Sequence, residues 1–399
     1  MTTYLFPGQG SQIKGMGGTL FDEFPEMTKQ ADDILGYSIK ALCLDDEKRQ
    51  LNQTKFTQPA LYVVNAMSYQ QKIKETGQNP DFLAGHSLGE YNALQAAGAF
   101  SFEDGLKLVQ KRGELMSQAE NGGMAAVMNL TDKEVKECIE QNGLNNIDIA
   151  NNNAPTQIVI SGLSEDVKQA QSHFDKAGGR FFPLNTSGAF HSSYMNEAKS
   201  IFEEYLQEFS FTDLQIPVIS NVHARPYQPD QIKRCLSDQI NHPVKWMQSM
   251  QYLLEQGEME FEELGVGEVL TKLIREIQSH FIALKKDKKS KKSAADAKQA
   301  QTKKTKEKSV AKSQAADTLN EDDVKLIRKK EKEVLNKKID DWNNNYPIGT
   351  QVIVAGYEDK LETRTKAMVL FGHRAAIYMQ DYKGYFDLDE VTPLERSEQ

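Results

Sequence analysis

The chain is poor in cysteine, in long apolar runs and in tryptophan. Its three cysteines, Cys43, Cys138 and Cys235, are odd in number, far apart and in no metal-ligating spacing. That pattern excludes a disulfide framework and a cysteine-bound zinc, and it predicts a reducing, cytoplasmic setting. No apolar run reaches membrane-spanning length, and the N-terminus lacks the charged and apolar regions of a secretory signal, so a soluble protein without a membrane partner is expected. An apolar share of 39% is low for 399 residues, which have ample length for a large core, so a polar segment dilutes a normal globular part. The net charge of −9 hides a split. Residues 285–312 hold twelve Lys against Asp287, Asp296 and Glu307, a local +9 that leaves −18 on the rest.

What is present centres on Gly85-His86-Ser87-Leu88-Gly89-Glu90. A short apolar run, Phe82-Leu83-Ala84, enters it, and a small-residue run, Tyr91–Ala97, leaves it. Strand, sharp turn and helix are the context in which G-x-S-x-G forms a nucleophile elbow. The glycines permit a strained turn, and the Leu88 backbone N–H at the helix start can stabilise charge developing on an attacked carbonyl. Thr3–Phe6 reads as a buried first strand, broken by Pro7-Gly8-Gln9-Gly10-Ser11-Gln12. This Gly-rich turn is neither a phosphate loop nor a dinucleotide fingerprint.

Thr57-Gln58-Pro59 reads as a helix start, and Ser101–Asp104 as another that carries Arg112. From Met124 the order is strand (124–130), helix (131–142), two strands (147–150, 157–161), helix (164–177) and strand (180–184). This β-α-β-β-α-β order predicts a ferredoxin-like unit inserted into a larger α/β domain. Gly188-Ala189-Phe190-His191-Ser192 follows it. His191 is a candidate general base, whereas His86 is expected to point away from Ser87. Ile216–Ser220 and Phe261–Leu264 read as further strands, and Val269–Ile277 as the last helix. Residues 285–316, rich in Lys, Ala, Ser and Gln, cannot bury enough surface to order themselves and read as a solvated linker. Residues 346–394 alternate like a small all-β barrel.

Five motifs in this order resemble the malonyl-CoA:acyl-carrier-protein transacylases, over the first 280 or so positions. They are Pro7–Gln12, Gly85–Glu90, Gln110-Lys111-Arg112-Gly113, Ala189-Phe190-His191-Ser192 and Gly265-Val266-Gly267-Glu268-Val269-Leu270. Asn151 to Gln157, of the form N-x-N-x-P-x-Q, adds a sixth. Val266 departs from the proline usual there. The resemblance implies that Ser87 carries malonyl as an ester, with His191 as general base and acid, oriented by the backbone carbonyl of Gln239. It implies an oxyanion hole from the N–H groups of Gln9 and Leu88, and Arg112 on the malonyl carboxylate. Leu88 and Phe190 would select malonyl over methylmalonyl. No metal and no cofactor are implied beyond the coenzyme A thioester substrate. The partner is an acyl carrier protein with a phosphopantetheine arm.

The expected architecture is therefore an α/β-hydrolase-like parallel-sheet domain, residues 1–123 and 188–282, with a ferredoxin-like subdomain at 124–187. A Lys-rich linker (283–319) and a charged helical segment (320–345) lead to an SH3-like barrel at 346–399. The housekeeping fatty-acid enzyme usually lacks such an extension, which favours a discrete acyltransferase of a polyketide or lipopeptide assembly line. The barrel is then a candidate for docking synthase modules or a carrier, or a bystander. The Lys-rich run has no interleaved aromatics and no reading fold, so nucleic acid is not expected as a partner. The rivals are an acyl hydrolase clearing stalled carriers, which usually lacks the arginine, and the housekeeping malonyltransferase itself.

Overall fold

The computed structural model describes residues 1–286 apart from 187 and 229, and residues 333, 335–354, 360–370, 374–380, 385–388 and 391–394. The expected linker lies almost wholly outside them, as does the first half of the charged segment. The chain divides into two units, residues 1–298 and 299–399. The first contains strands β1 (Thr2–Phe6), β2 (Phe82–Gly85), β3 (Gly122–Met128), β4 (Ile147–Ala154), β5 (Gln157–Leu163), β6 (Arg180–Pro183), β7 (Val218–Ile219) and β8 (Glu260–Glu263). An α/β fold around a parallel sheet was expected, and it is what the chain forms. The sheet runs in the order β7-β2-β1-β8, every pair parallel.

β1 and β2 are buried on both faces, so they read as continuous apolar runs and not as alternating ones. The helix Thr54–Thr76 crosses this core, with thirteen buried residues along its first four turns. It begins three residues before the expected start at Thr57, so Pro59 lies inside it. The Thr57 hydroxyl donates to the carbonyls of Leu51 (2.6 Å) and Gln53 (3.0 Å) and fixes the entering chain. Proline there removes one N–H from the helical ladder. The helix ends where Gly77 adopts φ 64°. The expected last helix is longer than predicted, spanning residues 269–286.

Between β2 and β7 in the sequence the chain forms a second sheet, β4-β5-β3-β6, with every neighbour antiparallel. The helices Asp132–Gln141 and Ser164–Lys176 close over a core of its own that includes Val127, Val135, Ile158, Ile160 and Phe174. Its edge strand β4 is tied to the larger part through backbone bonds. Asn152 N–H donates to the Val244 carbonyl (2.9 Å), and Val244 N–H to the Ala150 carbonyl (2.9 Å). That seam lies beside the site described below.

In the second unit, helical residues 335–345 contribute Ile339 and Trp342 to a core with Val352, Val354, Ile377 and Met379. Two three-stranded antiparallel sheets complete it, β10-β9-β14 and β11-β12-β13. Their strands are β9 (Gln351–Val354), β10 (Leu361–Glu362), β11 (Met368–Leu370), β12 (Arg374–Tyr378), β13 (Tyr385–Asp387) and β14 (Val391–Pro393). Cys43, Cys138 and Cys235 are buried free thiols. Among the described residues no helix is long and apolar enough to cross a membrane.

Candidate active site

Ser87 stands at the carboxyl end of β2 with φ 50°, in the left-handed region that non-glycine residues rarely occupy. The flanking glycines make the turn possible by close approach. A Cβ on Gly89 would lie 2.0 Å from the Phe6 carbonyl oxygen, and one on Gly85 1.9 Å from the Gly89 carbonyl carbon. Gly8 is equally constrained, since its Cβ would meet the His86 oxygen at 2.3 Å. The loop after β1 therefore backs directly onto the elbow. Asn221 clamps the turn from the far side. Its Oδ1 accepts the Ser87 N–H (2.7 Å), and its Nδ2 donates to the Gly85 carbonyl (2.7 Å).

His191 likewise has φ 57°. Its Nε2 lies 2.8 Å from Ser87 Oγ, and its Nδ1 lies 2.8 Å from the Gln239 backbone oxygen. A carbonyl only accepts, so Nδ1 carries the proton and Nε2 presents its lone pair to the serine hydroxyl. Burial and then the Arg112 charge push the imidazole down to about 3. The ring is therefore a neutral proton acceptor at rest.

Arg112, on the helix Phe102–Ser117, is fully buried, contrary to the ordinary expectation for a helix arginine. Its Nη1 donates to Gln58 Oε1 (2.7 Å), and its Nη2 to both Gln239 Oε1 (2.9 Å) and Ser87 Oγ (3.0 Å). None of these partners is a carboxylate. The guanidinium stacks 5.5 Å from the Tyr91 ring centre, and Nε has no partner among the described residues.

The N–H groups of Gln9 and Leu88 donate to no backbone or side-chain acceptor among the described residues. Leu88 opens the elbow helix Gly89–Ala96, and its N–H lies 3.6 Å from where a Cβ on Gly8 would stand. A cavity of about 470 Å³ adjoins this loop, lined by Gln9, Ser11, His86, Asn151, Asn153 and Gln157 among others. His86 turns from Ser87 as expected, with Nε2 2.8 Å from Asn153 Oδ1. Phe190 and Leu88 are buried in the main core.

Ser87, His191, Arg112 and Gln239 thus meet within hydrogen-bond distance, although they are scattered over about 150 residues of chain. Sequence reasoning missed Gln58, Glu90, Asn221 and Tyr227 as members of this network. Gln58 was visible only as part of a helix start. Glu90 is fully buried. It accepts from Tyr227 Oη (2.7 Å), Asn221 N–H (2.9 Å) and Gln239 Nε2. Its signal was the one charged residue in the helix Gly89–Ala96. Burial raises its carboxyl to about 7 against the pull of these donors.

A serine activated by histidine beside an arginine that touches no carboxylate defines a nucleophilic acyl-transfer site. Residues 3–319 match the family described as acyl transferase domain, and the chain belongs to that family: it is an acyltransferase. It is 59% identical over 281 residues to the polyketide biosynthesis malonyl CoA-acyl carrier protein transacylase BaeC of Bacillus velezensis, covering 70% of this chain and 97% of that one. The crystal structure of a malonyl CoA-acyl carrier protein transacylase from Burkholderia pseudomallei superimposes with a TM-score of 0.68 at 52% identity, over 70% of this chain and 98% of that one. A second similar structure holds a type II PKS acyl-carrier protein in complex with its malonyl-transacylase. It has a TM-score of 0.66 at 33% identity, over 69% of this chain and 92% of that one.

Proposed function

We propose that the protein transfers a malonyl group from malonyl-CoA to the phosphopantetheine thiol of an acyl carrier protein, in the service of polyketide or lipopeptide assembly. The Ser87 hydroxyl attacks the thioester carbon as its proton passes to His191 Nε2. The N–H groups of Gln9 and Leu88 receive the negative oxygen, each donor worth ~3 kcal/mol in such a hole. Collapse breaks the C–S bond, His191 returns its proton to the coenzyme A sulfur, and malonyl remains on Ser87 as an ester. The carrier thiol then gives its proton to His191, attacks the ester and leaves with the acyl group, and Ser87 Oγ recovers the proton. Leu88 and Phe190 restrict the space beside the acyl α-carbon, which favours malonyl over methylmalonyl by ~1–3 kcal/mol, the worth of a methyl group.

The observation that carries this reading is Arg112. A buried guanidinium held by two neutral amide oxygens keeps its charge free, and its Nη2 lies 3.0 Å from the nucleophile. A carboxylate one methylene beyond the acyl carbon falls within its reach. Simple hydrolysis of acyl chains has no use for that charge.

The second sheet's order, with strands one to four of the insert arranged 4-1-3-2, supports reading residues 124–187 as a ferredoxin-like subdomain between 1–123 and 188–282. The two small sheets of the second unit support reading an SH3-like barrel at 346–399; docking to a synthase module or carrier is the role we propose for it, with a bystander module as the alternative. The test of the central reading is intact-protein mass after mixing with malonyl-, acetyl- or methylmalonyl-CoA. Malonyl should load native protein, fail to load Ser87→Ala and load Arg112→Ala poorly. Labelling that ignores Arg112, favours acetyl and decays in water would make the protein a hydrolase.

A further inference from the structure

A buried guanidinium needs a counter-charge, because an unpaired ion loses its hydration without replacement. Yet a carboxylate placed directly on Arg112 would occupy the donors that a substrate carboxylate needs. The site separates these demands. Glu90 lies in the same buried network as Arg112, joined to it through the side-chain amide of Gln239. Every hydrogen-bond partner of Glu90 is a donor: Tyr227 Oη, the Asn221 N–H and Gln239 Nε2. The Gln239 amide has one polarity that suits both neighbours. Its NH2 faces the Glu90 carboxyl and the Ser87 carbonyl (2.8 Å), and its Oε1 faces Arg112 Nη2 (2.9 Å).

We propose that Glu90 is a positioning residue for acyl selectivity: it fixes the polarity of the Gln239 amide, so that Arg112 is held by a neutral oxygen and keeps its charge for a substrate carboxylate. The inference rests on the reading of Arg112 given above. Glu90 is not a catalytic residue, since it touches neither Ser87 Oγ nor His191. Its influence passes through the donor and acceptor pattern of one amide, which is an orientation effect distinct from general support of the fold.

The test compares single-turnover labelling of the full chain at about pH 8.5, where Glu90 is ionised, by malonyl-CoA and by acetyl-CoA, which lacks the carboxylate. Glu90→Gln keeps the volume, but with its oxygen held by the Asn221 N–H and the Tyr227 hydroxyl it sets a donor against the Gln239 NH2, so that amide loses one of the two acceptors that fix its polarity and its oxygen is held less firmly on Arg112. We expect the malonyl-to-acetyl rate ratio to fall about tenfold or more, with the acetyl rate changed by less than about threefold. The double variant Glu90→Gln, Gln239→Glu restores a donor–acceptor match between the two residues, at the loss of the donor to the Ser87 carbonyl, and guards against misfolding of the single one. It places a carboxylate directly on Arg112, so the ratio should stay low while acetyl labelling persists. Equal loss of both rates in Glu90→Gln would mark a merely structural role and overturn the inference, as would a native ratio in either variant. Arg112→Ala separates the layers. If it lowers the ratio and Glu90→Gln does not, the inference about Glu90 alone fails. If Arg112→Ala keeps the native ratio, the reading of Arg112 fails and takes the inference with it.

Discussion

The sharpest consequence of the site concerns how acylation depends on pH. With His191 pushed down to about 3, only about 1% of the rings are protonated at pH 5, so the base form is fully present from pH 8 to 5. An unperturbed imidazole at ~6.5 would retain about 3% of its base form at pH 5, and acylation would fall roughly thirtyfold. Acetyl-CoA is the substrate to use, because it does not engage Arg112 through a carboxylate. The second-order rate of acetyl-enzyme formation, followed by intact mass at low substrate, reports the free enzyme. It should be flat on the acid side down to pH 5, save for a shallow inflection near 7 where Glu90 titrates. Glu90→Gln should remove that inflection and leave the rest.

The perturbation that tests the cause is Arg112→Met. Burial is the larger reason for the depressed imidazole and survives the change, but the Arg112 charge, the next largest, is removed. The acid limb should therefore move upward, to lie between the native position and 6.5. The same argument says that a substrate carboxylate seated on Arg112 makes His191 a stronger base at the moment a proton must be taken. A native profile that falls tenfold per unit below pH 6.5 would refute this account of the base. An Arg112→Met profile that coincides with the native one would refute the electrostatic part.

Glu90 also links stability to pH. Its folded value of about 7 lies above the unfolded ~4.5, so the folded chain binds the extra proton, and the contribution is present below 4.5 and lost as pH rises through 7. Urea unfolding of native protein against Glu90→Gln should show a difference shrinking by about 3 kcal/mol from pH 4.5 to 7, and parallel curves would exclude it. Gly89→Ala, whose Cβ would lie 2.0 Å from the Phe6 oxygen, should cost more than about 4 kcal/mol in the same assay. Gly143→Ala, with φ 63° and open space around it, should cost about 1 kcal/mol. Asn221→Ala leaves the Ser87 N–H and the Gly85 carbonyl unpaired, each worth about 1–3 kcal/mol, and should slow acylation by about tenfold or more. Native labelling rates in Asn221→Ala would show that the strained turn holds without its clamp.

The parallel sheet was legible because β1 and β2 are short apolar runs, each ending at a glycine turn. The residues now found together on Ser87 were legible for a different reason. Ser87, Arg112 and His191 sit in local patterns that chemistry alone makes unusual. Gln58, Asn221 and Tyr227 carry no such local mark. An amide or phenol has meaning only through the atoms it faces, and those lie between about 50 and 140 positions away along the chain. Element ends were misjudged where a side chain overrode propensity, as the Thr57 hydroxyl does ahead of Pro59.

The split between what was read and what was missed follows the division of labour in the site. Groups that meet the substrate are the nucleophile, the base and the guanidinium, and they must be of one chemical type. Groups that hold them need only the right donor or acceptor at the right point. Two left-handed residues, Ser87 at φ 50° and His191 at φ 57°, carry the reacting atoms, and neither conformation is self-sustaining. Asn221 holds the first through the Ser87 N–H, and the Gln239 carbonyl holds the ring of the second. Glu90 accepts from the Asn221 N–H with one oxygen and from the Gln239 side chain with the other. One buried carboxyl therefore contacts both restraining residues, through atoms other than those that hold the serine and the histidine. A strained nucleophile and a strained base stay 2.8 Å apart because each has its own restraint, the Asn221 side chain on one and the Gln239 carbonyl on the other.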